Sequence, residues 1–227
     1  MILELCAFNI QSCFIAQKTG ADRIELCANP LQGGTTPSYG LVEYALHEIS
    51  IPIYPMIRPR GGDFIFDADE IAIMKKDILV FKQLGCPGIA TGVQLPDKRI
   101  NTGLLKRLVE WAYPMKVNCH KVFDDVPDAF HALEDVIDSG CCRVLTSGLS
   151  KTATEGAALL SQLVSNAGDR IIIMPGGGIR PSNIAQLIKK TGAAEYHSSA
   201  LVAKSINQTA DEEEVKMLVA NLKHLSS

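Results

Sequence analysis

The sequence has 227 residues, of which 47% are hydrophobic and 21% charged, the ordinary balance of a globular protein with a sizeable core. Its 22 lysines and arginines against 25 aspartates and glutamates give a formal net charge of −3. This charge excludes the basic surplus that is typical of proteins binding nucleic acid or anionic membranes. No apolar run approaches the roughly 20 residues that cross a bilayer, and the first residues lack a basic leader, so we expect a cytoplasmic protein with no membrane partner.

Short apolar runs alternate with longer segments of helical period along the chain. Strands are predicted at residues 2–6, 23–27, 53–58, 88–91, 116–120, 143–146, 170–174 and 195–197. Helices are predicted at residues 9–19, 38–49, 68–84, 102–111, 126–139, 154–166, 181–190 and 211–222. Eight such units predict an α/β fold, a TIM-type (β/α)8 barrel formed as a single domain by residues 1–227. An open, doubly wound sheet is the alternative.

Residues typical of helix ends support these boundaries. Asn9, Ser38 and Asp67 are suitable N-terminal caps, and Pro181 suits the first turn of the seventh helix. Four glycines each follow a predicted helix and precede a predicted strand, as C-terminal caps do. These glycines are Gly20, Gly85, Gly140 and Gly192.

The alternation of side chains along each strand predicts which of them face the barrel interior. Apolar residues of one parity should face the helices, which leaves a largely polar set facing inward. The inward set is Glu4, Cys6, Glu25, Cys27, Met56, Arg58, Arg60, Asn118, His120, Glu195 and His197. Because buried charge is unfavourable unless it is paired, this set predicts an internal salt-bridge lattice, a functional cluster at the barrel mouth, or both.

Seven cysteines are present, an odd number without any pair spaced as C-x-x-C. They are Cys6, Cys13, Cys27, Cys86, Cys119, Cys141 and Cys142. In a chain that is not secreted, such cysteines are expected to be reduced thiols. The spacing also excludes a zinc ribbon and a thioredoxin-like redox motif.

Seven motifs between residues 4 and 200 resemble the CutC copper-homeostasis family. They lie at residues 4–6, 20–27, 33–38, 57–64, 144–148, 174–179 and 195–200, and the segment IRPRGGDF at 57–64 is the most specific. The resemblance implies a TIM-type barrel, a cytoplasmic protein and an association with Cu(I), with Cys6 and Cys27 as the copper ligands.

The sequence departs from the family pattern at two places. The usual Thr-Phe-His-Arg-Ala-Phe-Asp of the fifth strand reads Asn-Cys-His-Lys-Val-Phe-Asp at residues 118–124, so Lys121 replaces a bidentate arginine. The region after Ala200 is also shorter than the family leads us to expect.

The two cysteines at the first two strands suit the chemistry of Cu(I), a soft ion that prefers thiolate ligands. Cys6 and Cys27 share one parity at matching ends of neighbouring strands about 4.8 Å apart, so their sulfurs could bridge one Cu(I). The alternative is that both cysteines only fill the end of the barrel.

Neighbouring side chains bear on this site. Glu4 and Glu25 are expected to raise the pKa of the thiols by like-charge repulsion, which Arg58 or Arg60 would offset. The candidate third ligands are Met56 and His120.

A second class of function is an enzyme acting on a small phosphorylated or carboxylated substrate. Active sites of this fold lie at the C-terminal ends of the strands, often with a phosphate held by the loops after strands seven and eight. The anion-binding candidates are Gly176, Gly177, Gly178, Ser198, Ser199 and Arg60. The candidates for acid–base and anion-orienting roles are Glu25, Arg58, Asp63, His120 and Asp124. Lys121 is placed on the outward parity of strand five, which argues against a Schiff base.

A third class, a binding or scaffolding module, stays open, as does the choice between a monomer and a homo-oligomer. We expect a small anionic ligand at the barrel mouth whatever the relation to copper. Glycines after strand seven let backbone amides approach such a ligand, and the helix predicted to open at Pro181 adds partial positive charge.

Overall fold

Eight parallel strands form the sheet of this protein, described here from a computed structural model that covers residues 1–203 and 207–224. They are β1 (Ile2–Ala7), β2 (Arg23–Leu26), β3 (Ile53–Ile57), β4 (Gly88–Thr91), β5 (Lys116–Cys119), β6 (Arg143–Thr146), β7 (Ile172–Pro175) and β8 (Glu195–Ser198). The hydrogen-bonded order is β7-β6-β5-β4-β3-β2-β1-β8. β7 and β8 also lie side by side, so the sheet curls into a nearly closed barrel, although no ladder joins these two strands within the described ranges.

A helix follows every strand along the chain. The helices are α1 (Ile10–Thr19), α2 (Tyr39–Glu48), α3 (Ala68–Gln83), α4 (Thr102–Ala112), α5 (Ala129–Asp138), α6 (Ala157–Ala167), α7 (Ile184–Thr191) and α8 (Glu212–His224). Short 3-10 helices, Pro30–Gln32 and Lys121–Asp125, precede α2 and α5. The predicted (β/α)8 barrel is therefore confirmed, and the open sheet is excluded.

The predicted N-terminal caps are present. Asn9 and Ser38 accept hydrogen bonds from backbone amides of the first turns of α1 and α2, and Asp67 forms a capping box with Glu70 at the start of α3. The four predicted C-terminal glycines all have φ between 66° and 86°, which a side chain would strain. Pro181 differs from the prediction, because the carbonyl of Arg180 closes a turn there and α7 begins only at Ile184.

Strand parity divides the apolar residues into two layers, as predicted. Outward residues such as Leu3, Ile24 and Tyr196 are buried in the large core between strands and helices. A separate small cluster lies inside the barrel. Its members are Cys6, Cys27, Met56 and Ala90, with Phe8 packed against them.

The rest of the barrel interior is a lattice of ion pairs. Arg23 donates through Nε to Glu4 and through Nη2 to Glu195, the latter at 2.5 Å. Arg143 donates to both carboxylate oxygens of Glu195, at 2.7 and 3.1 Å. His197 Nδ1 lies 2.8 Å from Glu4 Oε1. The predicted salt-bridge lattice is therefore present, with each charged member bonded to an opposite charge.

The last helix covers the barrel where its first and last strands meet. α8 buries Val215, Leu218, Val219 and Leu222, and it packs against α1, α7 and β1. Within the described part of the chain, no helix combines the length and apolar character that crossing a membrane requires.

Removal of the central guanidinium tests the lattice. We expect Arg23→Met to lower the free energy of unfolding by about 3–5 kcal/mol, because Glu4 and Glu195 would each lose a partner while buried. The shift should appear as a lower midpoint in urea denaturation. Arg170→Met is the matched control, since Arg170 pairs with Glu134 on the surface and should change the midpoint little. Equal shifts for the two variants would contradict a structural role of the lattice.

Candidate functional site

A cavity of about 180 Å³ opens at the C-terminal ends of the strands, where barrels of this kind place their active sites. Its lining residues are Cys6, Phe8, Glu25, Gly33, His120, Lys121, Leu145, Gly177, Gly178, Ile179, Arg180, His197, Ser198 and Ser199. A larger groove of about 840 Å³ lies between the β7–α7 loop and α8, but its described lining contains no cysteine or histidine. Of these two, the smaller cavity is the one lined by cysteine and histidine side chains.

Two thiols and a carboxylate meet beneath this cavity. Cys6 on β1 pairs in register with Glu25 on β2, and Cys27 follows β2 on the same parity. One donor atom from each residue lies within 4.8 Å of the other two, and all three residues are buried. The predicted approach of the two cysteines is therefore present, and Glu25 is a third potential ligand that the sequence did not assign to the metal.

Gly34 lets the β2–α2 loop cross directly over this cluster. Its φ of 95° is in the region that favours glycine, and a Cβ atom there would lie 3.2 Å from the sulfur of Cys27. The loop thus covers Cys27, whereas Cys6 faces the cavity.

His197 supplies positive charge next to the thiols. Its Nε2 lies 3.7 Å from Glu25 Oε2, on the side opposite its bond to Glu4. Burial lowers the pKa of His197, but Glu25, Cys6 and Glu4 outweigh burial and raise the pKa well above its usual range. The imidazole is therefore a cation at neutral pH.

The two thiols titrate in opposite directions. A hydrogen bond from Cys27 and the neighbouring His197 together lower the pKa of Cys6 to about 6, against the effect of burial. The same hydrogen bond, together with burial, raises the pKa of Cys27. The pKa of Glu25 is raised by burial and by the charge on Cys6. The sequence predicts that Glu4 and Glu25 raise the pKa of both thiols. The pKa of Cys27 is raised, with the hydrogen bond to Cys6 and burial as larger causes than Glu25, and the pKa of Cys6 is lowered because Cys6 is the acceptor in the cluster.

His120 lines the cavity as a neutral imidazole. Burial, and then the charge of Arg58, lower its pKa to about 3. Its Nδ1 is buried and has no hydrogen-bond partner within the described residues.

Arg58, predicted to face the interior, instead holds the rim together. Its guanidinium donates to the carbonyls of Gln32, Gly34 and Gly62 and lies 4.4 Å from the ring centroid of Phe64. These contacts fix the β2–α2 and β3–α3 loops against each other, and Arg58 does not line the cavity.

Three other predicted residues lie away from the cavity lining. Arg60 and Asp63 pair with each other at 3.0 Å, and Arg60 also pairs with Glu70 at the start of α3. β3 ends at Ile57, so strand parity no longer places Arg60 inside the barrel. Asp124 lies behind the lining, where it accepts hydrogen bonds from the hydroxyls of Thr146 and Ser147 and from backbone amides.

Some of the anion-binding candidates line the cavity and others do not. Gly177, Gly178 and Ser199 line the cavity, and so does Ser198, although its hydroxyl donates to the carbonyl of Ile179. Gly176 is not part of the lining, because it packs so closely that a Cβ atom would lie 2.4 Å from Leu145.

Lys121 is the lining residue that sequence reasoning placed wrongly. It was predicted on the outward parity of a fifth strand reaching residue 120, but β5 ends at Cys119. The 3-10 helix that follows turns Lys121 over the mouth, where its Nζ lies 3.5 Å from the Cβ position of Gly177. The first residues after a strand end are the signal that would have found it.

Several known proteins are similar to this chain in sequence and in fold. The family model described as the CutC family matches residues 1–202. A CutC family protein from Chromobacterium violaceum is 45% identical over 199 residues, which cover 88% of this chain and 81% of the relative. A copper homeostasis protein cutC homolog from Mus musculus is 42% identical over 88% of this chain and 73% of its own length.

Solved structures agree at the level of the fold. The crystal structure of a CutC protein from Streptococcus agalactiae has a TM-score of 0.83 and 32% identity, covering 88% of this chain and 98% of that one. Phosphoribosylanthranilate isomerase from Thermotoga maritima has a TM-score of 0.66 at 14% identity, covering 99% of this chain and 100% of that one. The latter likeness shows the barrel fold alone.

Ultraviolet absorbance of the thiolate tests the electrostatics of the metal-free site. The difference between the unaltered protein and Cys6→Ser should titrate with a midpoint near pH 6, with the thiolate present above it. His197→Gln should move this midpoint upward, because the cation that favours the thiolate is lost. The difference between the unaltered protein and Cys13→Ser should show no step in this range, since burial raises the pKa of Cys13 to about 12. A Cys6 midpoint at or above the ordinary thiol value would contradict the assignment.

Proposed function

Because this chain belongs to the CutC family, we propose that it is a cytoplasmic copper-homeostasis protein that binds one Cu(I) through Cys6 and Cys27. The observation that carries the proposal is the pair of buried sulfurs within 4.8 Å of each other. A metal–sulfur bond of about 2.3 Å, as in zinc thiolates, puts two opposed sulfurs about 4.6 Å apart. The spacing therefore suits a two-coordinate ion held between the strands.

The charges of the barrel interior favour a monovalent ion. Glu4 and Glu195 offset Arg23 and Arg143, which leaves the positive charge of His197 for the mouth. One negative charge beside His197 makes the buried assembly neutral, the arrangement that buried charges require.

Cu(I) binding preserves this neutrality. In the metal-free site, the charge on Cys6 raises the pKa of both Glu25 and Cys27, which favours the Cys6 thiolate as the main negative charge beside His197. Cu(I) replaces the proton of Cys27, and a Cu(I) ion between two thiolates again carries one negative charge. A divalent ion would keep the same charge only if Glu25 also lost its proton and joined the site.

The surroundings of the sulfurs add to the support for copper. Met56 belongs to the same buried cluster, so its soft thioether is a candidate third ligand. All seven cysteines are unpaired thiols, the state expected in the reducing cytoplasm.

Anaerobic copper titration tests the ligands directly. The unaltered protein should hold one Cu(I) per chain in competition with a chelator, and the Cys6→Ser/Cys27→Ser variant should lose it. Cys86→Ser/Cys142→Ser is the matched control, because it removes two thiols outside the barrel mouth and should keep the stoichiometry. An unchanged stoichiometry in the Cys6→Ser/Cys27→Ser variant would exclude the site.

Proton counting tests the charge argument. Between pH 7 and the ordinary thiol pKa of about 8.5, Cu(I) binding should release about one proton, measured by calorimetry in buffers of different ionisation enthalpy. Glu25→Gln should retain Cu(I) binding, since glutamine resembles the protonated acid. His197→Gln should weaken the Cu(I) affinity at least about a hundredfold, because the buried anion loses its cation. Release of about two protons would show instead that Glu25 ionises.

A further inference from the structure

We infer that the β7–α7 loop and Lys121 form a binding site for the phosphate group of a small molecule, on the wall of the mouth cavity formed by residues 177–179. This site goes beyond the copper proposal, because it uses neither Cys27 nor the charges of the lattice. The cavity is one and the same, but the thiol of Cys6 belongs to the wall formed by β1 and β2.

Three consecutive backbone amides on this wall lack acceptors. Within the described residues, the N–H groups of Gly177, Gly178 and Ile179 form no hydrogen bond. Gly178 is exposed, whereas Gly177 is half-buried and Ile179 is buried, and amides in buried positions are rarely left unpaired in proteins. Gly177 and Gly178 have φ of 94° and 72°, and because they carry no Cβ a ligand can approach their backbone amides closely.

The carbonyls of the same three residues are all engaged, which fixes the loop. Gly177 O accepts the amide of Ala153, and Gly178 O accepts Nδ2 of Asn183 at 2.8 Å. Ile179 O accepts the hydroxyl of Ser198 at 3.0 Å. The carbonyls of the loop are therefore held in place, while the N–H groups of Gly177, Gly178 and Ile179 have no partner among the described residues.

Lys121 brings a full positive charge to these amides. Its Nζ lies 3.5 Å from the Cβ position of Gly177. The ammonium also forms an ion pair with the carboxylate of Asp124 at 3.6 Å, and that carboxylate accepts hydrogen bonds from the hydroxyls of Thr146 and Ser147 as well. A bound phosphate would therefore share the ammonium with Asp124.

A second, independent observation points to a ligand. His120 is 5% exposed, lines the cavity, and has a buried Nδ1 without a partner in the described chain. A ligand that continues from the phosphate into the cavity would place a polar group within reach of this ring.

The cavity has room for a phosphate group together with a short polar chain, since its volume is about 180 Å³ and it opens at the barrel mouth. The ligand class that we infer is therefore inorganic phosphate or a small phosphate monoester.

Titration with inorganic phosphate, followed by amide chemical shifts, tests this site. At constant ionic strength, the chemical shifts of the amides of residues 177–179 should change with phosphate concentration and reach a plateau. Lys121→Gln should weaken the phosphate affinity at least about tenfold, because a charged hydrogen bond is lost. Lys98→Gln is the matched control, since Lys98 pairs with Asp125 outside the cavity, and it should bind phosphate as the unaltered protein does.

Two further titrations identify the ligand and distinguish phosphate binding from copper binding. Tighter binding of glycerol 3-phosphate would indicate an ester, and equal or weaker binding would indicate free phosphate. The Cys6→Ser/Cys27→Ser variant should retain phosphate binding even though it loses copper.

Four results would overturn the site. They are unmoved amides at residues 177–179, equal effects of the two lysine substitutions, tighter binding of acetate than of phosphate, and loss of phosphate affinity in the Cys6→Ser/Cys27→Ser variant.

Discussion

The guanidinium of Arg23 lies between the carboxylates of Glu4 and Glu195, and the polar interior of the barrel depends on this bridge. Barrels of this fold usually fill the same layers with branched apolar side chains, which need no partner. Here each charge needs an opposite charge within bonding distance, and Arg143 and His197 extend the bridge at its two ends. The interior therefore has one favourable arrangement of protons, and this arrangement reaches the mouth through His197.

The lattice explains why chemically similar groups at the mouth differ in protonation. Cys6 and Cys27 are both buried cysteines, yet only Cys6 accepts hydrogen bonds from its neighbours and is near His197. His197 and His120 are both buried imidazoles, yet only His197 lies between two glutamates. Burial raises or lowers each pKa according to the sign of the group, and the position in the lattice decides which groups are charged.

Strand periodicity predicted the part of the site that lies on regular strands. Glu4, Cys6, Glu25 and His197 were found because a side chain buried on the inward parity of a strand can have few other positions. The prediction of copper rests on the family resemblance, because the spacing alone leaves open that the cysteines only fill the end of the barrel.

Prediction failed where the strands end, because no periodicity relates the loops to the sheet. Arg60 was predicted at the mouth and lies outside it, and Lys121 was predicted outside and lies over the cavity. In the β7–α7 loop the carbonyls of residues 177–179 are hydrogen-bonded, and their amides have no partner among the described residues. This pattern depends on Asn183 and Ser198, whose positions relative to the loop cannot be predicted from the sequence.

The ion pairs of the interior also join the first two strands to the eighth strand. Glu4 and His197 are 193 residues apart, and Arg23 and Glu195 are 172 apart. During synthesis, Glu4 and Arg23 emerge early, but their other partners arrive only with the eighth strand. Contacts of such long sequence separation form slowly, because the loop between them must first be closed. These ion pairs, and with them the closure of the barrel, therefore require the eighth strand, which makes closure a late event of biosynthesis.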